Sequence, residues 1–399
     1  MMKKTELLAP AGDMETLKTA LRFGADAVYI GGPFMQLRAE ISGFSEDEIK
    51  EAVKYTHTLQ KKLYVTVNSF AKNDEIEPLG LYAKRLYEAG VDAVIVSDIG
   101  ALCAIRNAAE NLEIHISTQA NCQNYASALA YYKMGAKRVV TAREMTLSEI
   151  AEMRKKLPND MEIEAFAHGA MCMSYSGRCF LSPYLSGRSG NRGECTQPCR
   201  WSYHITEMKR PGEFFQIEET QGGTNILSSR DMNCMDIIDD MIAAGITSFK
   251  IEGRMKTPYY VATVVSAYRK RLDGCTDLKA LNHELDCISH RPYCTGFYLG
   301  QLKKYRPDEQ VPYISECTFA GVVKACEKGI LTVEQRGKFS VGDTLEIVSP
   351  DIFGKSFKVE EIINSEGESV QSAPHAQETV KIPCPFKLSD GDILRVPKK

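Results

Sequence analysis

The sequence predicts an α/β fold: a TIM-like (β/α)8 barrel with a cysteine-rich insertion after its seventh strand, followed by a small C-terminal all-β barrel domain. Three observations support this prediction. The same helix-to-strand junction recurs along the first two-thirds of the chain, short apolar segments alternate with amphipathic ones, and short alternating strands prevail from about residue 311.

The recurring junction is a helical stretch that ends at a glycine and is followed, three residues later, by a β-branched or aromatic run. It occurs at Gly24, Gly90, Gly135 and Gly245. Glycine suits the left-handed position just beyond a helix C-terminus. A helix–glycine–strand junction that recurs along the chain is typical of a fold built from successive β/α units.

Eight parallel strands are predicted, and most of them are separated by amphipathic helices. A doubly wound sheet is the alternative, and the lack of a dinucleotide fingerprint argues against it. The predicted domains are a barrel at 1–272 with the insertion at about 168–247, a connection at 273–310 and a β-barrel domain at 311–399. The predicted strands are 6–9, 27–31, 63–68, 93–98, 113–118, 138–142, 162–167 and 248–252.

The composition is that of an ordinary globular protein, with 44% apolar and 25% charged residues. A net charge of −3 gives no overall attraction to nucleic acid or to an anionic membrane. We expect a cytoplasmic protein with no membrane partner, because no secretory signal or long apolar run is found. Thirteen cysteines, an odd number, argue against a disulfide framework.

Four of these cysteines lie close together in a polar, glycine-rich stretch. Six residues separate Cys172 from Cys179, fifteen follow, and three separate Cys195 from Cys199. Four thiolates suit tetrahedral zinc or a [4Fe–4S] cluster. The wider spans favour the cluster, because structural zinc sites prefer a tighter C-x2-C spacing. The third alternative is that the four cysteines are unrelated residues of a hydrophobic core. A stretch this polar contains few apolar residues among which they could be buried.

The carboxyl ends of barrel strands are where an active site is expected. His168 leads from the seventh strand into the cysteine loop and is the candidate for proton transfer. Lys250, Glu252 and Arg254 alternate along the eighth strand, so all three could face inward and bind an anionic co-substrate, or form only a structural ion-pair network. Other candidates at strand ends are Asn68, Asp98, Gln119 and Arg143.

The cysteine insertion is locally basic. Its cations could contact RNA phosphates, bind the carboxylates of a small anion, or only offset the charge of a cluster. Tyr175 and Trp201 could stack on an extruded base or pack within the protein. The basic residues are Arg178, Arg188, Arg192, Arg200, Lys209 and Arg210.

The cysteine segment resembles the signature of the U32 peptidase family, and the likeness continues at residues 6–13, 65–68, 250–256 and 295–300. In size and in its β-rich C-terminal domain, the chain is similar to a branch of that family that hydroxylates C5 of the wobble uridine in tRNA. The matching signature positions are Glu164, Phe166, Gly169, Ala170, Cys172, Gly177, Cys179 and Ser182, with Met171 in the apolar position.

The resemblance implies that the four cysteines hold a [4Fe–4S] cluster, that prephenate is the co-substrate and that tRNA is the partner. Related members hydroxylate an rRNA cytidine or a quinone ring, so these substrates are alternatives, as is a non-catalytic cluster scaffold. We predict catalytic roles for His168 and Glu252. The predicted substrate-binding residues are Arg143, Arg178, Arg192, Lys250, Arg254 and Tyr175.

A collagenase-like peptidase, the older description of the family, is the remaining alternative. The sequence contains no H-E-x-x-H motif and no G-x-S-x-G elbow. A cysteine thiolate that ligates a cluster cannot also attack a carbonyl. The residues therefore favour the hydroxylase over the peptidase.

Overall fold

The computed structural model describes residues 5–37, 43–172, 174–201, 230–300 and 313–398. The chain divides into two compact units. The first comprises Met1–Leu17, Asp26–Met255 and Arg291–Pro312, and the second comprises Lys18–Ala25, Lys256–His290 and Tyr313–Lys399. Among the described residues, none of the helices has the length and apolar character needed to cross a membrane.

The first unit contains ten strands and most of the helices. The strands are β1 Glu6–Pro10, β2 Ala27–Gly31, β3 Lys62–Val67, β4 Ala93–Val96, β5 Glu113–Ile116, β6 Arg138–Val140, β7 Glu162–Ala170, β8 Asp231–Asn233, β9 Ser248–Ile251 and β10 Tyr293–Cys294. The first eight helices of the chain are α1 Met14–Arg22, α2 Glu46–Thr58, α3 Ile76–Glu88, α4 Ile99–Ala108, α5 Tyr125–Lys133, α6 Leu147–Lys156, α7 Leu181–Ser186 and α8 Ile238–Ala243.

The predicted eight-stranded parallel barrel is confirmed. Strands β1 to β7 pair in sequence order, β7 pairs with β9, and β9 pairs with β1, which closes the barrel. Every residue of β2 and of β4 is buried, as expected for strands covered on both faces. The predicted junction glycines have positive φ angles, from +83° at Gly90 to +107° at Gly24.

The insertion after β7 interrupts the barrel without replacing any barrel element. The short strand β8 pairs antiparallel with β7, and β10 pairs with β8. The predicted insertion, 168–247, also includes α8, which is the ordinary helix between the seventh and eighth barrel strands.

The second unit contains two helices and an all-β sheet. The helices are α9 Pro258–Leu272 and α10 Leu278–Asp286. An eight-stranded antiparallel sheet runs in the order β15, β14, β20, β11, β12, β19, β16, β17, and β13 pairs with β18. The strands are β11 Cys317–Glu327, β12 Ile330–Gln335, β13 Phe339–Ser340, β14 Thr344–Val348, β15 Ser356–Lys358, β16 Ile362–Ile363, β17 Ser369–Val370, β18 Ser372–Ala373, β19 Thr379–Pro383 and β20 Ile393–Pro397.

The predicted C-terminal all-β domain is confirmed, and its main sheet has the form of a half-barrel. Helix α9 groups with this sheet although it lies before the predicted boundary at residue 272. The Tyr259 ring stacks on Phe319 of β11 at 4.9 Å, and the Tyr259 hydroxyl donates to the Cys287 carbonyl at 2.9 Å. These contacts attach α9 to the second unit.

Candidate functional site

A buried ion-pair network lies inside the barrel, with Glu164 of β7 at its centre. Arg138 donates to Glu164 Oε2 at 2.9 Å, and Lys250 donates to Glu164 Oε1 at 2.8 Å. All three side chains are buried, and Arg138 also pairs with Glu6 and Glu162. Burial alone would raise the pKa of Glu164, but the positive charges of Lys250 and Arg138 outweigh it and lower the pKa to about 2.

A pocket lies at the carboxyl ends of the barrel strands, where the active site was expected. Six of the predicted strand-end candidates line it: Asn68, Gln119, Arg143, Lys250, Glu252 and Arg254. Asp98 is not among the described residues that line the pocket. Its Oδ1 accepts a hydrogen bond from the Ala101 amide, so the side chain caps the N-terminus of α4. The remaining described residues that line the pocket are Tyr29, Leu37, Thr66, Ser117, Thr118, Val140 and Phe166.

Two cations of the pocket lie against aromatic rings. The Lys250 ammonium is 4.4 Å from the Tyr29 ring centre, and the Arg143 guanidinium is 3.9 Å from the Phe166 ring centre. Arg143 also makes a long ion pair of 3.6 Å with Glu252. The structure therefore brings Lys250, Arg143 and Glu252 together, and Glu252 is the pocket carboxylate beside a cation.

The guanidinium of Arg254 is held in place by hydrogen bonds to three residues. Its Nη1 donates to Gln36 Oε1 at 2.9 Å and to Thr66 Oγ1 at 3.1 Å, and its Nη2 donates to the Leu37 carbonyl. The side chain is buried. These three acceptors fix the guanidinium at the pocket wall.

His168 lies apart from this pocket. The pairing of β7 with β9 shifts register between Phe166 and His168, so strict alternation no longer directs the histidine into the barrel. The ring is buried and lies 5.5 Å from the Tyr293 ring of β10. The structure places His168 beside β10 rather than among the pocket residues, and its catalytic role stays a prediction.

The start of the cysteine insertion is fixed to the loops after β5 and β6. The Ser176 amide donates to Glu144 Oε1 at 2.6 Å, and Asn121 Nδ2 donates to the Ser176 carbonyl at 3.0 Å. Gly177 follows with φ of +69°, and a Cβ built there would lie 2.0 Å from the Gln119 carbonyl oxygen. Only glycine fits this close approach to a pocket residue.

We expect Gly177→Ala to lower the free energy of unfolding by about 1–3 kcal/mol, because the added methyl group collides with backbone. Chemical denaturation measures this loss, and limited proteolysis of the insertion reports local release. Gly187→Ala is the matched control, since Gly187 has nearly the same φ of +68° but nothing within 4 Å of its Cβ position. Equal effects of the two changes would contradict the steric explanation.

The later part of the insertion is fixed to the segment after β3. Arg192 Nη2 pairs with Glu75 Oε1 at 2.8 Å, and Arg192 Nη1 donates to the Phe70 carbonyl. The hydrogen bond from Arg192, together with its charge, lowers the pKa of Glu75 to about 2. Arg192 thus holds the insertion to the segment after β3, and its predicted substrate-binding role stays a prediction.

None of the four cysteines of the insertion forms a disulfide bond. Cys179 lies just before α7, and the 3₁₀ turn Pro198–Arg200, which contains Cys199, contacts α7. The Gln197 amide donates to Cys195 Sγ at 3.4 Å, the kind of amide-to-sulfur contact that thiolate ligands receive. Cys172 is exposed at the end of β7. This donor set fits a four-thiolate metal centre.

Exposed aromatic side chains accompany the cysteines. Tyr175 is 61% exposed, while Phe180 and Tyr184 are each 73% exposed. The Trp201 indole donates to the Thr196 carbonyl at 3.1 Å and is partly exposed. Phe180 and Tyr184 were not among the predicted site residues, although their i, i+4 spacing across a short helix in a polar loop was a signal for a shared exposed face.

The remaining basic candidates of the insertion are only partly described. Arg178 donates to the Gly177 carbonyl at 3.4 Å, and the Arg188 carbonyl accepts a hydrogen bond from the Ser182 hydroxyl at 2.6 Å. Lys209, Arg210 and the side chain of Arg200 lie outside the described residues.

Comparison with known proteins places this site in context. The sequence profile of Peptidase family U32 matches residues 12–307, and that of the Peptidase family U32 C-terminal domain matches residues 315–395. The tRNA hydroxylation protein P1 of Bacillus subtilis (strain 168) is 38% identical over 404 residues, which cover 98% of this chain and 95% of that protein.

Two other relatives carry different descriptions. The 23S rRNA 5-hydroxycytidine synthase of Escherichia coli (strain K12) is 38% identical over 271 residues, which cover 68% of this chain and 40% of that protein. A protein named collagenase from Porphyromonas gingivalis is 31% identical, covering 98% of this chain and 97% of that protein.

Proposed function

The chain belongs to peptidase family U32, and from this premise we propose that it is an enzyme that hydroxylates RNA. The substrate we propose is the wobble uridine of tRNA, hydroxylated at C5 in the cytoplasm with prephenate as co-substrate. The likeness to the Bacillus relative along nearly the whole chain carries this proposal.

The pocket chemistry supports an anionic co-substrate. Prephenate bears two carboxylates, and planar guanidinium groups bind carboxylates through two parallel hydrogen bonds. Arg143 lies against Phe166 and has only a long 3.6 Å ion pair with Glu252, so an incoming carboxylate can replace that contact. Glu164 pairs with Lys250 and holds this ammonium group in place inside the barrel. The positive charge of Lys250 is therefore a fixed part of the electrostatic field in the pocket.

The cysteine loop supports a [4Fe–4S] cluster, with Cys172, Cys179, Cys195 and Cys199 as its ligands. Such a cluster supplies one-electron redox chemistry when bound. The contacts of Ser176 with Glu144 and of Arg192 with Glu75 attach the loop to the strand ends that form the pocket. A cluster held there would border the site where the co-substrate binds.

The exposed aromatic side chains support contact with RNA. Extruded bases stack on tyrosine, phenylalanine and tryptophan, and each stacked base contributes about 1–3 kcal/mol. Tyr175, Phe180 and Tyr184 offer such surfaces on the cysteine insertion, and Arg178 and Arg188 supply positive charge near them. This local surface overcomes the unfavourable net charge of the chain.

The peptidase alternative is favoured by the likeness to the collagenase relative. The described residues that line the pocket include no cysteine and no histidine. Ser117 lines the pocket, but its Oγ receives a hydrogen bond of 3.4 Å from the Asn68 amide group. A nucleophile paired with a base is what peptide hydrolysis without a metal requires, and the pocket does not present one.

The proposal is tested by mass spectrometry of tRNA nucleosides from cells with the gene, cells without it, and cells complemented with it. We expect 5-hydroxyuridine and its derivatives to disappear without the gene and to return with it. Unchanged hydroxyuridine together with altered rRNA or quinone hydroxylation would redirect the substrate. Peptide release by the cluster-free protein would instead favour the peptidase.

We expect Arg143→Ala to raise the KM for prephenate about 10- to 100-fold, because a charged hydrogen-bonded pair contributes about 1.5–3 kcal/mol. Steady-state kinetics with purified enzyme and tRNA measure this. Arg85→Ala is the control, since Arg85 pairs with Glu46 on the surface helices α3 and α2. A fall in kcat with unchanged KM would argue against a co-substrate contact.

A further inference from the structure

The second unit contains a cluster of metal-ligating side chains that the proposed hydroxylation does not use. His283 and Cys287 lie at the end of α10, and Glu346 lies on β14. One ligand atom from each of these residues lies within 4.8 Å of the other two. Cys317, the first residue of β11, has its Sγ 2.6 Å from Cys287 Sγ and 3.8 Å from Glu346 Oε2.

The local structure explains why these groups meet. His283 and Cys287 are four residues apart, so they share one face of α10. Their Nε2 and Sγ atoms are 3.9 Å apart, and His283 Nε2 lies 3.8 Å from Glu346 Oε1. The two cysteines are buried, whereas the His283 side chain is about half exposed. The thiols thus form the floor of a site that is open to solvent on the histidine side.

The surrounding groups orient the ligands as in a metal site. His283 Nδ1 lies 3.2 Å from Glu316 Oε2, so an Nδ1–H donor directs the Nε2 lone pair toward the cysteines. Arg395 Nε donates to Glu346 Oε2 at 2.9 Å, which leaves Oε1 facing the histidine. A carboxylate behind a ligating histidine is the usual outer contact of a zinc site.

We propose that Cys287, Cys317, His283 and Glu346 bind one Zn²⁺ ion. Two sulfurs, one imidazole nitrogen and one carboxylate oxygen form a tetrahedral zinc set. Binding releases the two thiol protons, because zinc takes thiolates as ligands. With Zn–S bonds of about 2.3 Å, the two sulfurs stand about 3.8 Å apart, so they separate by about 1 Å when zinc enters.

The competing product of two such close sulfurs is a disulfide, whose S–S bond is about 2.05 Å. A disulfide makes no use of a histidine and a carboxylate that face the sulfurs, nor of a second carboxylate behind the histidine. The zinc site uses all of them. It connects α10 with β11 and β14, and it is independent of the proposed hydroxylation.

Metal analysis of the full chain, purified anaerobically with reductant, tests the proposal. We expect about one zinc per chain beside the iron, and at least about a 10-fold loss of that zinc in Cys317→Ser and in His283→Gln. Cys326→Ser, which changes a partly buried cysteine of β11 outside the cluster, is the matched control. Glu316→Gln is expected to weaken zinc binding about 10- to 100-fold.

Iron and sulfide contents, measured on the same samples, are expected to stay unchanged in these variants. His283→Gln keeps the test open if the buried cysteine variant does not fold, because this histidine is half exposed. Zinc that persists in His283→Gln and Cys317→Ser would overturn the proposal, since it would then be held elsewhere, for example by the four-cysteine loop. A Cys287–Cys317 disulfide in zinc-free protein, found by peptide mapping, would overturn it as well.

Discussion

Replacing Glu164 by glutamine is expected to lower the free energy of unfolding by about 3–5 kcal/mol. The change keeps the shape of the side chain but removes the charge that neutralises Lys250 and Arg138 inside the barrel. Both cations are almost fully buried, so neither recovers its solvation by turning toward water. Urea denaturation followed by circular dichroism measures the loss.

Glu162→Gln is the matched control for this prediction. Glu162 lies on the same strand and pairs with the same arginine, but its side chain is 23% exposed. Because water can compensate for part of its charge, we expect a smaller loss of stability. Equal losses in the two variants would show that burial of Glu164 does not set the size of the effect.

The pH dependence of stability provides a second measurement on Glu164. A carboxylate whose pKa is lower in the folded chain stabilises that state above its unfolded pKa and loses this contribution as the pH falls. From the usual 4.5 to about 2, the contribution is about 3 kcal/mol. The difference in stability between the native protein and Glu164→Gln is therefore expected to narrow from pH 4.5 toward pH 2. A stability difference that stays constant over this pH range would contradict the lowered pKa of Glu164.

Replacing Cys179 by serine is expected to lower the bound iron and sulfide at least about 10-fold and to abolish tRNA hydroxylation in complemented cells. A serine hydroxyl is a poor substitute for a thiolate toward iron. Cys179 lies just before α7, outside the barrel core, so the far-ultraviolet circular dichroism is expected to remain that of the native protein.

Cys103→Ser is the control for this prediction, because Cys103 is an exposed free thiol on α4. It is expected to keep the iron, the sulfide and the hydroxylation. Native iron content in Cys179→Ser would contradict the assignment of the four ligands. If the anaerobically purified native protein contained zinc and no iron, the four cysteines would be assigned to a zinc centre and not to a cluster.

Much of the fold could be predicted because its signals are local. Hydrophobic periodicity, together with a glycine after four of the helices, identified all eight barrel strands to within a few residues. The grouping of α9 is not decided by its position in the sequence, because it follows a barrel strand but belongs to the β-sheet unit. That choice depends on contacts such as Tyr259 with Phe319, which are 60 positions apart in the sequence.

The pocket could be predicted only as a set of strand ends. Lys250, Glu252 and Arg254 were recognised by their alternation, and all three line the pocket. His168 was selected because it leads from the seventh strand into the cysteine loop, but the register shift in β7 places it beside Tyr293. Such a shift depends on the partner strand, which a single segment of sequence does not specify.

By itself the sequence determined the barrel, the all-β C-terminal part and the spacing of the four cysteines, because periodicity and spacing are properties of neighbouring residues. The tertiary structure alone decided which charges meet. It placed Glu164 between Arg138 and Lys250, and it paired Arg192 with Glu75. Ion pairs form between side chains that the closure of the barrel and the return of a loop bring together, and no local pattern encodes those distances.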